Sequence, residues 1–240
     1  LTIVICTPSG GRITMGWHKS MLRLHEAFKG KHTCPFLEWG GSDIYIARNF
    51  CLAYPDERWG HYPTKHAEYK PFNGKLPYDR ILWIDSDISF TPQDVENIIA
   101  HEGADIVSGC VKVDFNSFAL KYFGKVTNAD GSGYEYANEV AQMKVDEKGQ
   151  AFDAFEMWAQ KRNEDGLVEV DGAGGAFLCV RAGVYEAMEF PWYRVGIKDG
   201  IGQLSLSEDM AFCVRAREHG FKIWADPMVR PVHDKPVLLR

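Results

Sequence analysis

The chain has 240 residues, 45% of them hydrophobic and 25% charged, and no apolar run is long enough to cross a bilayer, which excludes a disordered polar chain and a helical membrane span. A formal net charge of -6 argues against a general nucleic-acid binder while leaving room for a local basic patch. The 6 cysteines are scattered without a CxxC pair, and Cys6, Cys110, Cys179 and Cys213 stand in apolar surroundings, so the expectation is reduced, mostly buried thiols in a cytoplasmic setting.

Leu1 to Cys6 reads as a first buried strand, too short and without the basic flank of a signal peptide. Thr7-Pro8-Ser9-Gly10-Gly11-Arg12 then reads as a tight loop, its backbone N–H groups and arginine suited to a nucleotide or simply to a turn. Thr14 to Phe28 carries Trp17, Met21, Leu24 and Phe28 at helical spacing, the pattern of a core-facing helix. Cys34 to Trp39 predicts a second strand, and Ser42 is placed to cap a helix reaching about Tyr54. Within that helix, Arg48-Asn49 lies among Ile44, Ile46, Phe50 and Leu52, where an arginine forms half of a salt bridge or reaches a phosphate or base. From Tyr54 to Tyr78 four prolines break any regular element, so a long surface excursion is expected.

Ile81-Leu82-Trp83-Ile84 predicts a buried strand that delivers Asp85 and Asp87 at its end, where open α/β sheets bind ligands. Two carboxylates so close repel each other unless a cation lies beside them, and carboxylate oxygens suit Mg²⁺ or Mn²⁺, which in turn grip a diphosphate. The alternative is an acid that ends the strand and another that starts a turn. Thr91-Pro92-Gln93-Asp94 is a helix start, with threonine as cap, proline at the first position and an acid at the third. Another strand is expected over Ala104 to Ser108. The alternation of strand and helix to this point predicts a parallel sheet with crossover helices.

Beyond Val111 the pattern becomes aromatic and polar with turn signals at Ala129 to Gly133. Short antiparallel strands and a helix near Phe152 to Gln160 are expected there, as a smaller mixed subdomain over one end of the sheet. Asp171 to Val180 reads as glycines leading into a buried strand, Arg181 to Met188 as a helix, and Phe190 to Leu206 as a mobile flap carrying Trp192 and Tyr193. Ser207-Glu208-Asp209 opens a helix ending at Gly220, Phe221 to Ala225 is a final strand, and His233-Asp234 lies in the tail.

The ordered set Asp85-Ser86-Asp87, Gly174-Gly175-Ala176, Glu208-Asp209 and His233 resembles the metal-dependent glycosyltransferases of the GT-A fold, over nearly the whole chain. The absence of an anchor in the sequence makes the compact soluble enzymes of bacteria or viruses the nearer likeness. The resemblance implies an α/β fold with a mostly parallel central sheet flanked by helices. It also implies one domain, 1–240, with a nucleotide-sugar-binding half over 1–110 and an acceptor-binding, catalytic half over 111–240.

By that likeness Asp87 and His233 ligate Mn²⁺ (or Mg²⁺), and Asp85 meets the metal, directly or through water, or the donor ribose. Thr7, Pro8, Ser9, Arg12, Arg48, Asn49, Ser86, Gly174 and Gly175 are implied contacts of a UDP- or GDP-linked sugar. Asp209 matches the base that takes the acceptor's proton, with Glu208 as its substitute. The acceptor is expected to be a glycan or another hydroxyl-bearing molecule. The stretch His61, Lys65, His66, Lys70, Lys75 and Arg80 leaves a hydroxylated DNA base open as an alternative. Two rival readings stand beside this one: a haloacid dehalogenase-type phosphatase with Asp85 as nucleophile, and a domain that binds a nucleotide sugar or glycan without turnover.

Overall fold

The computed structural model of the chain describes residues 1–41, 43–53, 70–112, 117–127, 133–141, 143–145, 151–153, 158–197 and 204–234. In chain order these form β1 (Ile3–Ser9), α1 (Met15–Phe28), β2 (Phe36–Gly40), α2 (Ile44–Ala53), β3 (Arg80–Ile84), β4 (Ile88–Ser89), α3 (Pro92–Ile99) and β5 (Ile106–Gly109). There follow β6 (Ser117–Thr127), β7 (Gly133–Ala141), β8 (Met143–Val145), β9 (Ala151–Asp153), β10 (Val168–Val170), β11 (Gly172–Ala173) and β12 (Phe177–Arg181). The last elements are β13 (Gly196–Ile197), β14 (Leu204–Leu206), α4 (Glu208–Glu218), β15 (Ile223–Asp226) and β16 (Val232–His233).

Seven strands make the central sheet in the order β10-β15-β5-β12-β3-β1-β2. β2, β1 and β3 are mutually parallel, as are β5 and β15, while β12 sits antiparallel between β3 and β5 and β10 closes the far edge antiparallel. The fold is therefore α/β with a mostly parallel sheet. β10, β12 and β15 come from beyond residue 110, so both halves of the chain build this one sheet.

The inner strands β1, β3, β5 and β12 are buried on both faces, which is why they read as continuous apolar runs, whereas β2 at the edge alternates exposed and half-buried residues. On β3, Ile81 and Trp83 join the core that α2 and α4 cover through Leu52, Phe212 and Cys213. Leu82 and Ile84 join the opposite core with Trp17, Leu24 and Phe28 of α1 and Val95 and Ile98 of α3. α3 starts as expected: Thr91 Oγ1 accepts from Asp94 N at 3.1 Å while Asp94 Oδ2 accepts from Thr91 N at 2.8 Å, a complete capping box. All 6 cysteines are free and five are buried, and burial pushes the Cys179 and Cys213 thiols up to about 12, leaving them inert.

Four expectations are corrected. Thr7 to Ser9 extend β1 instead of forming a loop, because β2 pairs with β1 as far as Ser9 opposite Gly40. Pro8 is tolerated there: Ile3 and Ile5 direct their N–H groups to the β2 side, so Pro8 faces the other side, where pairing with β3 has ended at Cys6. Arg181 to Met188 is a turn with one short 3₁₀ segment, Tyr185–Ala187, broken by Gly183 at φ 96. Of the helix expected near Phe152 to Gln160, Trp158 and Ala159 are helical, while Phe152 lies in β9. Trp192 and Tyr193 are core residues at 0% and 1% exposure, not part of a flap. The Ser42 cap, most of the Tyr54 to Tyr78 excursion, much of the Ala129 to Gly133 turn, residues 154–157 and residues 198–203 lie outside the described residues. No helix among the described residues is long and apolar enough to cross a membrane.

Candidate active site

β3 hands the chain to a turn at its carboxyl end. Asp85 N–H still donates to the Ala176 carbonyl (2.9 Å), and Ile88 N–H donates back to the Asp85 carbonyl (3.1 Å), closing the turn Asp85-Ser86-Asp87-Ile88. β4 then pairs antiparallel with β16, setting His233 opposite Ile88 and Val232 opposite Ser89. This pairing carries a residue from the far end of the chain to the acid motif. His233 Nε2 lies 2.9 Å from Asp87 Oδ2, and Asp234 N–H donates to the Asp87 carbonyl at 2.8 Å.

The other ring nitrogen of His233 lies 3.3 Å from the Lys112 carbonyl. A carbonyl only accepts, so Nδ1 donates in that contact, and Nε2 meets the carboxylate either as a second N–H donor or as a lone pair beside a bound cation. Two acceptors at that separation need a cation between or beside them, either a proton or a metal ion. A backbone carbonyl behind the imidazole is also the usual support of a ligating histidine. Oxygen and imidazole nitrogen together suit Mn²⁺, with the remaining positions open to water or phosphate oxygens.

The expected trio of ligands is not assembled. Among the described residues no group of three His, Cys, Asp or Glu side chains converges on one point. Asp85 points elsewhere, its Oδ1 3.0 Å from Arg48 Nη2. Of the three residues expected to meet a metal, the structure brings only Asp87 and His233 together.

Asp234, next in sequence, fixes that pair. Its Oδ2 accepts from Thr14 Oγ1 (2.8 Å) and Ser89 Oγ (2.6 Å), and Thr14 N–H donates to the Ser86 carbonyl (2.9 Å). The start of α1 thus clamps both the acid turn and β16. Gly16 makes this approach possible, since a Cβ there would collide with Ser89 Oγ and Asp234 Oδ2. A glycine in the first turn of a helix is the sequence signal of such close packing.

Arg48 is buried at 2% exposure and faces a set of acids. Besides Asp85, its Nη1 donates to the Gly175 carbonyl at 3.3 Å, and its Nε lies 3.5 Å from Glu208 Oε1. At that separation Glu208 supplies charge but no hydrogen bond, and Nε has no hydrogen-bond partner among the described residues. The guanidinium rests on the rings of Trp83 and Tyr193, 5.3 and 5.6 Å from their centroids. Burial works against its charge, yet Asp85, Tyr193, Glu208 and Asp209 together hold its pKa above the ordinary arginine value. Asn49 is equally interior, donating to the Tyr45 and Tyr193 carbonyls and accepting from Tyr193 N–H. Arg48 and Asn49 thus lie beneath the site floor and not on its surface, contrary to expectation.

On the other side of Gly175 stands Asp209. Its Oδ2 accepts from Gly175 N–H at 3.3 Å, and its Oδ1 accepts from Met210 N–H at 2.8 Å and from the Ser207 hydroxyl. The backbone of Gly175, through its N–H on one side and its carbonyl on the other, therefore joins Asp209 to Arg48, and Arg48 joins both to Asp85. Burial, with Asp209 next, raises the Glu208 pKa against the pull of Arg48; burial likewise raises that of Asp85, against Arg48 and with Asp87 and Asp209.

The remaining expected residues scatter. Thr7 and Ser9 are buried within β1, Ser9 Oγ donating to Glu38 Oε1 at 2.6 Å, and Pro8 is buried beside them. Arg12 is exposed in the loop after β1, and Ser86 contributes its carbonyl to α1. Gly174 packs against Ala119, its N–H 2.6 Å from the Ala119 carbonyl. Arg80 is not part of a basic patch: it is 4% exposed and donates to the His101, Glu102 and Ala104 carbonyls behind α3. Lys70 and Lys75 are exposed, and His61, Lys65 and His66 lie outside the described residues.

No family model matches the chain, and no curated protein matches its sequence. Among solved structures it is similar to A197 from STIV, with 14% identity and a TM-score of 0.46, over 100% of this chain and 97% of that one. It is also similar to GalNAc-T7, solved with UDP, GalNAc and Mn2+, with 8% identity and a TM-score of 0.47, over 99% of this chain and 43% of that one. The α/β architecture stands on the strand pairing described above.

Proposed function

We propose that the chain is a metal-dependent glycosyltransferase of the GT-A type, moving a sugar from a UDP- or GDP-linked donor to a hydroxyl of a glycan or similar acceptor. The observation that carries this reading is the approach of His233 to Asp87, made by the β4–β16 pair across 146 residues of sequence, on a turn whose Asp85 feels the charges of both Asp87 and Asp209. Asp87 and His233 would hold Mn²⁺, whose charge stabilises the diphosphate as it leaves. Ser86 and the backbone of the turn border that position. Asp209, kept as an acceptor by the Gly175 and Met210 N–H groups, receives the proton of the attacking hydroxyl. Glu208, drawn toward Arg48, serves less well in that role. The phosphatase alternative asks for a free Asp85 nucleophile, and Arg48 already engages its Oδ1.

The test is a panel of nucleotide sugars scored for Mn²⁺-dependent release of the nucleoside diphosphate. Asp209→Asn is expected to lower kcat by about 10²-fold or more while sparing diphosphate binding. Asp87→Ala and His233→Ala are expected to lose Mn²⁺ binding in calorimetry. Diphosphate and Mn²⁺ binding without turnover of any donor would leave a binding domain instead.

A further inference from the structure

We infer that Arg48 is a positioning residue, a buried cross-link that sets the Asp85 turn and the first turn of α4 in one fixed relation, and not a contact of the donor. One guanidinium reaches three separate parts of the chain: Asp85 after β3 at 3.0 Å, the Gly175 carbonyl before β12 at 3.3 Å, and Glu208 at the start of α4 at 3.5 Å. Its planar fork divides these partners between different nitrogens, which an ammonium on a flexible stem cannot reproduce. At 2% exposure, on the rings of Trp83 and Tyr193, it has no path to a phosphate or base above the site. Gly175 has no side chain because this guanidinium occupies the space: a Cβ would lie 2.6 Å from Arg48 Cζ. The N–H of the same Gly175 donates to Asp209, so the position of Arg48 also bears on that of the proposed base.

A buried cation that compensates two carboxylates leaves a thermodynamic signature independent of turnover. Arg48→Met in the full chain is expected to lower the melting midpoint. Adding Asp85→Asn and Glu208→Gln to that variant is expected to recover much of the loss, well beyond any change the same two substitutions make in the native chain. Equal shifts in both backgrounds would overturn the cross-link. The kinetic arm rests on the glycosyltransferase reading and uses Arg48→Lys, assayed well below its melting midpoint. There kcat is expected to fall about tenfold or more, with the dissociation constant of the nucleoside diphosphate in Mn²⁺ within about threefold of native. A loss of diphosphate affinity at unchanged kcat would make Arg48 a donor contact and overturn the inference, as would native kcat and affinity together. If the native chain turns over no donor, the proposed activity fails and the melting experiment alone decides the cross-link.

Discussion

Gly175 leaves no room for a side chain, because Arg48 fills the space one would take. Arg48 is backed by the rings of Trp83 and Tyr193, so Gly175→Ala should destabilise the fold by about 1–3 kcal/mol, read as a lower urea midpoint at an unchanged m-value. Glu208 gives a pH prediction. Its carboxyl is raised in the folded chain, so it favours folding fully below the ordinary glutamate value of about 4.3, and that contribution is lost as pH rises through the raised value. Melting curves of the native chain and Glu208→Gln should therefore diverge in favour of Glu208→Gln as pH rises above that range, and parallel curves would reject the shift. The acids and His233 were legible in sequence because their types and order suffice to flag them. The role of Arg48 was not, although its neighbours Ala47, Cys51 and Leu52 are all buried: a charge on the inner face of a helix discloses its partners only once the fold is known.

At the scale of elements, what could be read was what is local. The start of α3 is decided by four adjacent residues, and the sequence displays all of them. β4 and β16 hold two residues each, and neither has a strand signature; each exists only because the other is there. The same holds for the turn after β12, where an apolar run imitates a helix and Gly183 interrupts it. The clamp that α1 places on β16 gives an experiment. Gly16→Ala would press a methyl group into the Ser89–Asp234 contact, which is expected to shift β16 and weaken Mn²⁺ binding severalfold in calorimetry, though Gly16 is no ligand. Unchanged affinity would mean that His233 is placed without help from α1.

For the whole molecule, the alternation of strands and helices over the first 110 residues announced an α/β sheet. The insertion of β12 between β3 and β5 was silent, since strand order is fixed by contacts distant in sequence. That order puts the glycine turn of Gly174 and Gly175 directly beside the end of β3, bringing the two halves of the chain to one place. β16, by contrast, contributes nothing to the seven-stranded sheet. Mn²⁺ at about 100 times its dissociation constant should raise the stability of the full chain by about 2.7 kcal/mol, and leave unmoved a chain cut after Pro231. Should the shortened chain respond equally, His233 is not a ligand. With no response from the shortened chain, ion capture is a trait separable from folding, gained or shed by editing a few codons, so that a sister lineage keeps the whole scaffold and yet falls silent as a catalyst.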